Sequence, residues 1–406
     1  MTEAQLARCR KRLEQFLVDL LEPIGRRERR HWGAVYVRGL LLEGERKSIE
    51  PMARRLPDGN EQALQQLVGQ SPWEWAPVWE RLARRMVREL EPEAVWAIDD
   101  TGFPKQGRHS VGVARQYSGT LGKTANCQVA VSLHEVCAQG AAVLGWRLYL
   151  PESWNADGQR RAVAGIPEEV KFRRKWELAL ELIDQALQWG LAARIVVADA
   201  GYGNVTAFRE ALEQRNLPYA VGVQSSTGVW PMPLRRQLRP PPAGRPASAL
   251  PDGPPQPVAV KAAAQQAAGW KKVRWREGSR DWLESRFWAG RVRATHGFHE
   301  GRAPGKELWL LVEWPEQSSE PSKYFLCDLP ATATLRRLVQ VTKSRWQIEQ
   351  NYQQLKEQLG LDHYEGRSWN GWHHHVTLVM IAHAFLTLET LRNKKNWWLD
   401  PAEDAP

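Results

Sequence analysis

Apolar residues recur at three- and four-residue spacing through the first 92 positions, in Leu6 to Leu21, Trp32 to Leu42 and Pro77 to Leu90. That period places apolar side chains on one stripe of a helix. Pro51, Pro57, Pro72 and Pro92 punctuate the segments, so residues 1–92 read as an all-helical N-terminal domain. The pattern then changes. Val95-Trp96-Ala97-Ile98 is a short apolar run ending at Asp99-Asp100, and Asn126 to His134 alternates. Ala141 to Leu150 predicts a third strand, Lys171 to Gln188 a helix, and Ala193 to Ala198 a buried strand ending at Asp199. A helix over Asn204 to Gln214 and a strand over Pro218 to Val223 complete an α/β layer spanning 93–227.

Residues 228–332 interrupt this layer. Pro231, Pro233, Pro240 to Pro242, Pro246, Pro251, Pro254, Pro255 and Pro257 predict an extended loop. The strands VRWR, LESRFWAGRVRA, ELWLLVEW and KYFLCDL follow it. Helical periodicity returns over 333–392, as a long helix from Thr334 to Gly360 and another over about Trp372 to Leu391. Gly360 is placed as the cap of the first, and residues 393–406 read as a tail.

Charge narrows the class of partner. With 56 Lys+Arg against 46 Asp+Glu the chain carries +10, which favours a polyanion. The β-rich insertion holds 16 basic and 10 acidic residues over 228–330, so most of the excess lies there. The four cysteines form no CxxC pair, which excludes a disulfide scaffold or thiolate zinc module and fits a reducing, cytoplasmic setting. No run of eighteen apolar residues occurs, and MTEAQLARCRKRLEQFL lacks the apolar core of a secretory signal.

Candidate chemistry sits at three acids. Asp100 and Asp199 end predicted strands, where groups of an open α/β sheet gather, and Glu349 lies on the long helix. An all-oxygen carboxylate set suits hard divalent cations such as Mg²⁺, and a two-metal site supports in-line displacement at a phosphate. The ordinary alternatives are a helix N-cap for an Asp after a strand and a solvent-facing helix position for the Glu.

Three blocks select between these readings. WAIDDTGFPKQGRHSVGVARQYSGTLGKTANCQVAVSLH (Trp96 to His134), VVADAGYGN (Val196 to Asn204) and RWQIEQNYQQLKEQLGLDHYEGRSWNGWHHH (Arg345 to His375) occur in order. Together with ERKSIEPMARRL (Glu45 to Leu56), they resemble bacterial insertion-sequence transposases of the 701 family, which are related to the insertion-sequence 4 group. The resemblance implies an RNase H-like catalytic domain interrupted by a β-strand-rich insertion, with a DDE triad of Asp100, Asp199 and Glu349 as catalytic and metal-binding residues. Asp100 is preferred to Asp99 because Thr follows the first Asp in related cut-and-paste transposases, and strand alternation lets only one of the two face the site. Arg345 and Lys356 fit the family's cations four before and seven after Glu349, on one helix face, whereas Thr342 replaces the family's Tyr.

The resemblance further implies two Mg²⁺ ions, with Mn²⁺ able to substitute, and no ATP. GKT at Gly122 to Thr124 fails the Walker spacing because the required first Gly is Tyr117. The implied partners are terminal inverted repeats, target DNA and a second copy in a synaptic homodimer, with the protein acting at the bacterial nucleoid. Lys105, Arg108, Arg115 and Lys123, spread among glycines between the first two strands, are candidate phosphate contacts. Among the tryptophans that interleave with basic residues in the insertion, Trp288 and Trp309 are candidates to hold an unstacked base. His373, His374 and His375 are consecutive, so a helix would point them apart and a three-ligand metal site is not expected. The competing functions are a DNA-binding regulator derived from a transposase and an RNase H-like nuclease that only hydrolyses.

Overall fold

The computed structural model describes residues 2–90, 93–232, 257–277, 282–295 and 305–399. Most of the Pro-rich stretch and the last residues of the predicted tail lie outside them. The fold is mixed α/β, and the chain forms two compact units: residues 1–193 with 346–406, and residues 194–345.

The first unit opens with helices α1 (Glu3–Leu20), α2 (Arg27–Leu41), α3 (Ile49–Arg55), α4 (Glu61–Gly69) and α5 (Ala76–Glu89). Thr2 and Gln5 form a reciprocal cap on α1, and Asn60 caps α4, satisfying N–H groups that a helix start leaves without partners. Strands β1 (Val95–Pro104), β2 (Ala114–Ser118), β3 (Lys123–Cys137) and β4 (Gly140–Leu148) follow. They form one antiparallel sheet: β3 pairs with β1 on one side and with β2 and then β4 on the other. The expected loop between the first two strands thus contains a strand of its own. Short helices α6 (Glu152–Asn155) and α7 (Gly158–Ala164) lead to α8 (Lys175–Gln188), which packs on β3 and β4.

The second unit runs β5 (Val196–Ala198), α9 (Ala200–Gly203), α10 (Thr206–Gln214), β6 (Tyr219–Val223), β7 (Gly228–Pro231), β8 (Val258–Ala259), α11 (Val260–Gln265), β9 (Lys271–Glu277), β10 (Trp282–Ala294), β11 (Glu307–Trp314), β12 (Lys323–Cys327) and α12 (Leu335–Ser344). Strand β5 is parallel to β6, and the other pairings are antiparallel, in the order β5-β6-β12-β11-β10-β7-β8 with β9 also on β10.

The chain returns to the first unit with α13 (Trp346–Gln353), a π-helical turn over Gln354–Gln358, and α14 (Trp369–Leu399). The single helix expected over Thr334 to Gly360 is therefore divided. Its hydrogen-bond ladder breaks at Arg345, and it widens into the π turn before Gly360, whose φ of +66° ends it as the sequence predicts. Helix α14 is apolar nearly all round and buried along much of its length, packing on α2, α4, α5 and β4. No helix among the described residues is long and apolar enough to cross a membrane.

Candidate active site

Asp100 does not end β1. The strand continues to Pro104, and both Asp99 and Asp100 sit within the ladder, opposite Ser132 and Val131 of β3. Ser132 and Val131 in turn face Trp146 and Arg147 of β4. Residues directly opposite in a sheet share a face, and neighbours along a strand do not. Two rows result: Asp99–Ser132–Trp146 on one face and Asp100–Val131–Arg147 on the other.

Helix α8 covers the Asp100 face. Lys175, its first residue, places Nζ 2.6 Å from Asp100 Oδ2, and Arg147 reaches Glu181 and Gln185 of the same helix. The opposite face meets α13. Ser132 Oγ and Tyr352 Oη share a 2.6 Å hydrogen bond, and the Trp146 and Tyr352 rings lie 6.0 Å apart. The Asn351 amide donates to His134 Nδ1 at 3.1 Å, which leaves the proton on Nε2 to be donated to Ser132 Oγ at 2.8 Å. Asn351, His134, Ser132 and Tyr352 thus form one connected and buried polar chain. Burial pushes the His134 pKa down to about 3, with His383 adding to the effect, so the ring is neutral as its hydrogen bonds require.

This network fixes the helix that carries Glu349. Ile348 and Leu355 are fully buried, Asn351 and Tyr352 nearly so, and Glu349 is exposed at the margin of that buried stripe. Its place in the first turn of α13 favours a negative charge.

Lys356 does not share Glu349's exposure. The π turn shifts the helical period, and Lys356 Nζ donates to the Gly102 carbonyl at 2.9 Å and to Thr120 Oγ1 at 2.8 Å. Its Nζ lies 5.7 Å from the Phe103 ring centroid, and burial lowers its pKa to about 8. Lys356 therefore ties the turn after β2 to β1. The π turn takes Lys356 off the face expected to bear it with Arg345 and Glu349, whereas Arg345 keeps right-handed helical dihedrals (φ −52°, ψ −31°) directly before α13. Thr342 is buried and returns its hydroxyl to the Leu338 carbonyl, as a residue that packs rather than reaches outward.

The basic loop residues divide similarly. Lys105 Nζ donates to the Tyr364 carbonyl at 2.5 Å, and burial lowers its pKa. Arg108, Arg115 and Lys123 are exposed, the last two on the β2–β3 hairpin beside the exposed Tyr117 and Leu121. His373, His374 and His375 are buried and bond to different carbonyls or to Tyr36, so they converge on no common point.

In the second unit Asp199 follows β5 and caps α9, with Oδ1 accepting the N–H groups of Gly201 at 2.8 Å and Tyr202 at 3.4 Å. The glycines beside it are required by space. A Cβ on Gly203 would strike the Gly222 carbonyl, and one on Gly222 would come within 3.0 Å of Ala200 N. This close approach of α9 to β6 sets the Asp199 backbone. Trp288 pairs with Val312 and Trp309 with Arg291, which puts the two rings on opposite faces of their sheet. Trp309 Nε1 donates to the Pro330 carbonyl at 3.0 Å beneath the Arg291 guanidinium, whereas the half-buried Trp288 lies over Gly290.

Among the described residues no group of three or more His, Cys, Asp or Glu is placed to hold a metal ion. The donor chemistry nevertheless suits a hard cation, because the candidate acids are all carboxylates. Sequence reasoning missed Lys175 and the Asn351–His134–Ser132–Tyr352 chain. Lys175 lies in a charged helix start with no distinguishing motif, and the four network residues are joined only by pairing between β3 and α13.

Residues 19–281 match the family model of the DDE superfamily endonucleases, a span that includes Asp99, Asp100 and Asp199 and stops before Glu349. Over 197 residues the chain is 30% identical to a protein of Microchaete diplosiphon described as a probable transposase for insertion sequence element IS701. That alignment covers 48% of this chain and 49% of the relative, so the chain spans about half the length of the curated relative it matches. The chain belongs to the DDE superfamily endonuclease family.

Proposed function

We propose that this protein is a transposase that excises an insertion sequence by cutting at its ends and joins the released 3′-hydroxyl to target DNA. The observation that carries this reading is the ordered set of acidic blocks inside a DDE superfamily endonuclease chain, with similarity to a probable insertion-sequence transposase. The catalytic fold is read as RNase H-like with a β-rich insertion, and the helices of 1–92 as the part that recognises terminal repeats.

An aspartate of the Asp99–Asp100 pair, Asp199 and Glu349 are the carboxylates we assign to catalysis. Their acting together rests on the sequence blocks and on the chemistry of carboxylates. When bound, two Mg²⁺ ions would activate the attacking oxygen and stabilise the leaving oxygen, which is the chemistry such sites supply. The carboxylates would hold those ions. Exposed Arg115 and Lys123 would contact backbone phosphates, and Trp288 is the better placed of the two tryptophans to meet a base because its indole is not engaged as that of Trp309 is. Lys356 and Lys105 act through local positioning in this reading, and Arg345, one turn before Glu349, would contact a backbone phosphate. A second copy would hold the other DNA end.

The test is a joining assay: full-length protein, DNA carrying the element's own ends, Mg²⁺ and a target plasmid. Joined products with a short target duplication are expected. Cut ends without joining would leave a hydrolytic nuclease, and end binding without cutting would leave a DNA-binding regulator.

A further inference from the structure

We infer that Asp99, and not Asp100, is the carboxylate of β1 that works with Glu349, while Asp100 is a positioning residue that anchors α8. The inference rests on the catalytic reading above for the role of Glu349, and on the sheet for the choice between neighbours.

Three contacts between side chains tie the segment carrying Glu349 to the Asp99 face. Tyr352, one turn after Glu349, bonds Ser132, the residue directly opposite Asp99. Asn351 bonds His134, two residues along β3 and so on the same face as Ser132. Lys356 lies over Phe103, four residues beyond Asp99 and again of the same parity. Phe103 in turn packs with Trp146, the third member of the Asp99 row.

The Asp100 face is accounted for differently. Its row ends in Arg147, which bonds Glu181, and Asp100 itself bonds Lys175, so both residues of the row that carry charge are committed to α8. A one-residue step along a strand reverses the side chain, so Asp100 cannot serve Glu349's face without a change of register in β1. Asp99 has a fixed geometry for its role. Its Oδ1 accepts the Asp100 N–H at 2.8 Å, which holds the carboxylate against rotation. A metal-binding carboxylate held by a hydrogen bond is better oriented than a mobile one.

The experiment compares Asp99→Asn and Asp100→Asn in the full chain with two readouts: cleavage of end DNA in Mg²⁺, and Mn²⁺ binding by electron paramagnetic resonance without DNA. Asp99→Asn is expected to lower cleavage by about a thousandfold and to weaken Mn²⁺ binding roughly tenfold, with circular dichroism unchanged. Asp100→Asn is expected to keep cleavage and Mn²⁺ binding within about tenfold and to lower the melting temperature, and Lys175→Met should reproduce that pattern. Loss of both readouts in Asp100→Asn overturns the assignment, whether or not Asp99→Asn is also inactive. So does full Mn²⁺ binding by Asp99→Asn. If the wild type binds Mn²⁺ but cuts no end DNA, the transposase reading fails and Mn²⁺ binding alone decides between the two aspartates. If the wild type does neither, both fail.

Discussion

The two faces of the β1–β3–β4 sheet are built from the same three strands and held by different physics. The α8 face uses ion pairs: Asp100 with Lys175, and Arg147 with Glu181. The α13 face uses a buried chain of neutral hydrogen bonds through Asn351, His134, Ser132 and Tyr352. Part-exposed ion pairs are soft and worth about 0–1 kcal/mol each, whereas a buried network fixes geometry because any broken member leaves a polar atom unpaired. The firmer attachment is the one behind Glu349. In the proposed reading Glu349 would hold a metal ion, and a carboxylate in that role needs such support.

Acid should separate the faces most strongly. Burial holds His134, His373 and His375 at about 3 and His383 at about 4. Each folded pKa lies below the ordinary value of about 6.5, so below that pH the unfolded chain takes up protons that the folded one refuses. The stability they support is complete above about pH 6.5 and is lost as pH falls toward 3, by up to roughly 1.4 kcal/mol per pH unit for each ring. Denaturant unfolding at pH 7 and pH 5 should differ by several kcal/mol on this basis. Of these four rings His134 is the one in the network under α13, whereas His373 lies beside Trp79 of α5, so hydrogen exchange should show α13 opening before α8. Equal loss of protection across both faces would break the contrast.

Cutting the network is the next largest effect. Asn351→Leu removes the donor to His134 and should cost about 1–3 kcal/mol in chemical denaturation. It should also lower end cleavage more than it lowers end binding, because Glu349 is two residues away. Lys175→Met on the other face should cost only about 0–1 kcal/mol and leave cleavage within about tenfold. Smallest in stability is the hairpin: Arg115→Ala with Lys123→Ala should leave the melting temperature unchanged. It should reduce the salt slope of DNA binding by roughly one for each lost phosphate contact, and an unchanged slope would remove the hairpin from the interface.

Much of this was legible in the chain. The apolar runs at Ala141 to Leu150 and Pro218 to Val223, and the four strands of the insertion, match β4, β6 and β9 to β12 because their patterns are strong and their ends are marked by turn residues. Asp199 was legible as a group at a strand end, and it is also the N-cap that such a position often provides. Three features were not legible. Strand β1 runs through its two acids because β3 pairs with it to Pro104, a tertiary effect that overrides the poor strand propensity of Asp. The break at Arg345 and the π turn leave no mark in a three- and four-residue period, which places Lys356 beside Glu349, whereas in the fold it turns inward. Choosing between Asp99 and Asp100 needs the register of β1 against β3 and the identity of the helix on each face, and a local motif holds neither.

The most direct test of a carboxylate-held metal centre is end-specific strand cleavage by the full-length wild type and Glu349→Gln, each with Mg²⁺ and with EDTA. Cutting by the wild type in Mg²⁺ alone is expected, with Glu349→Gln reduced by about a thousandfold and binding the ends as tightly as before. Cleavage that survives either EDTA or the loss of the Glu349 carboxylate would contradict it.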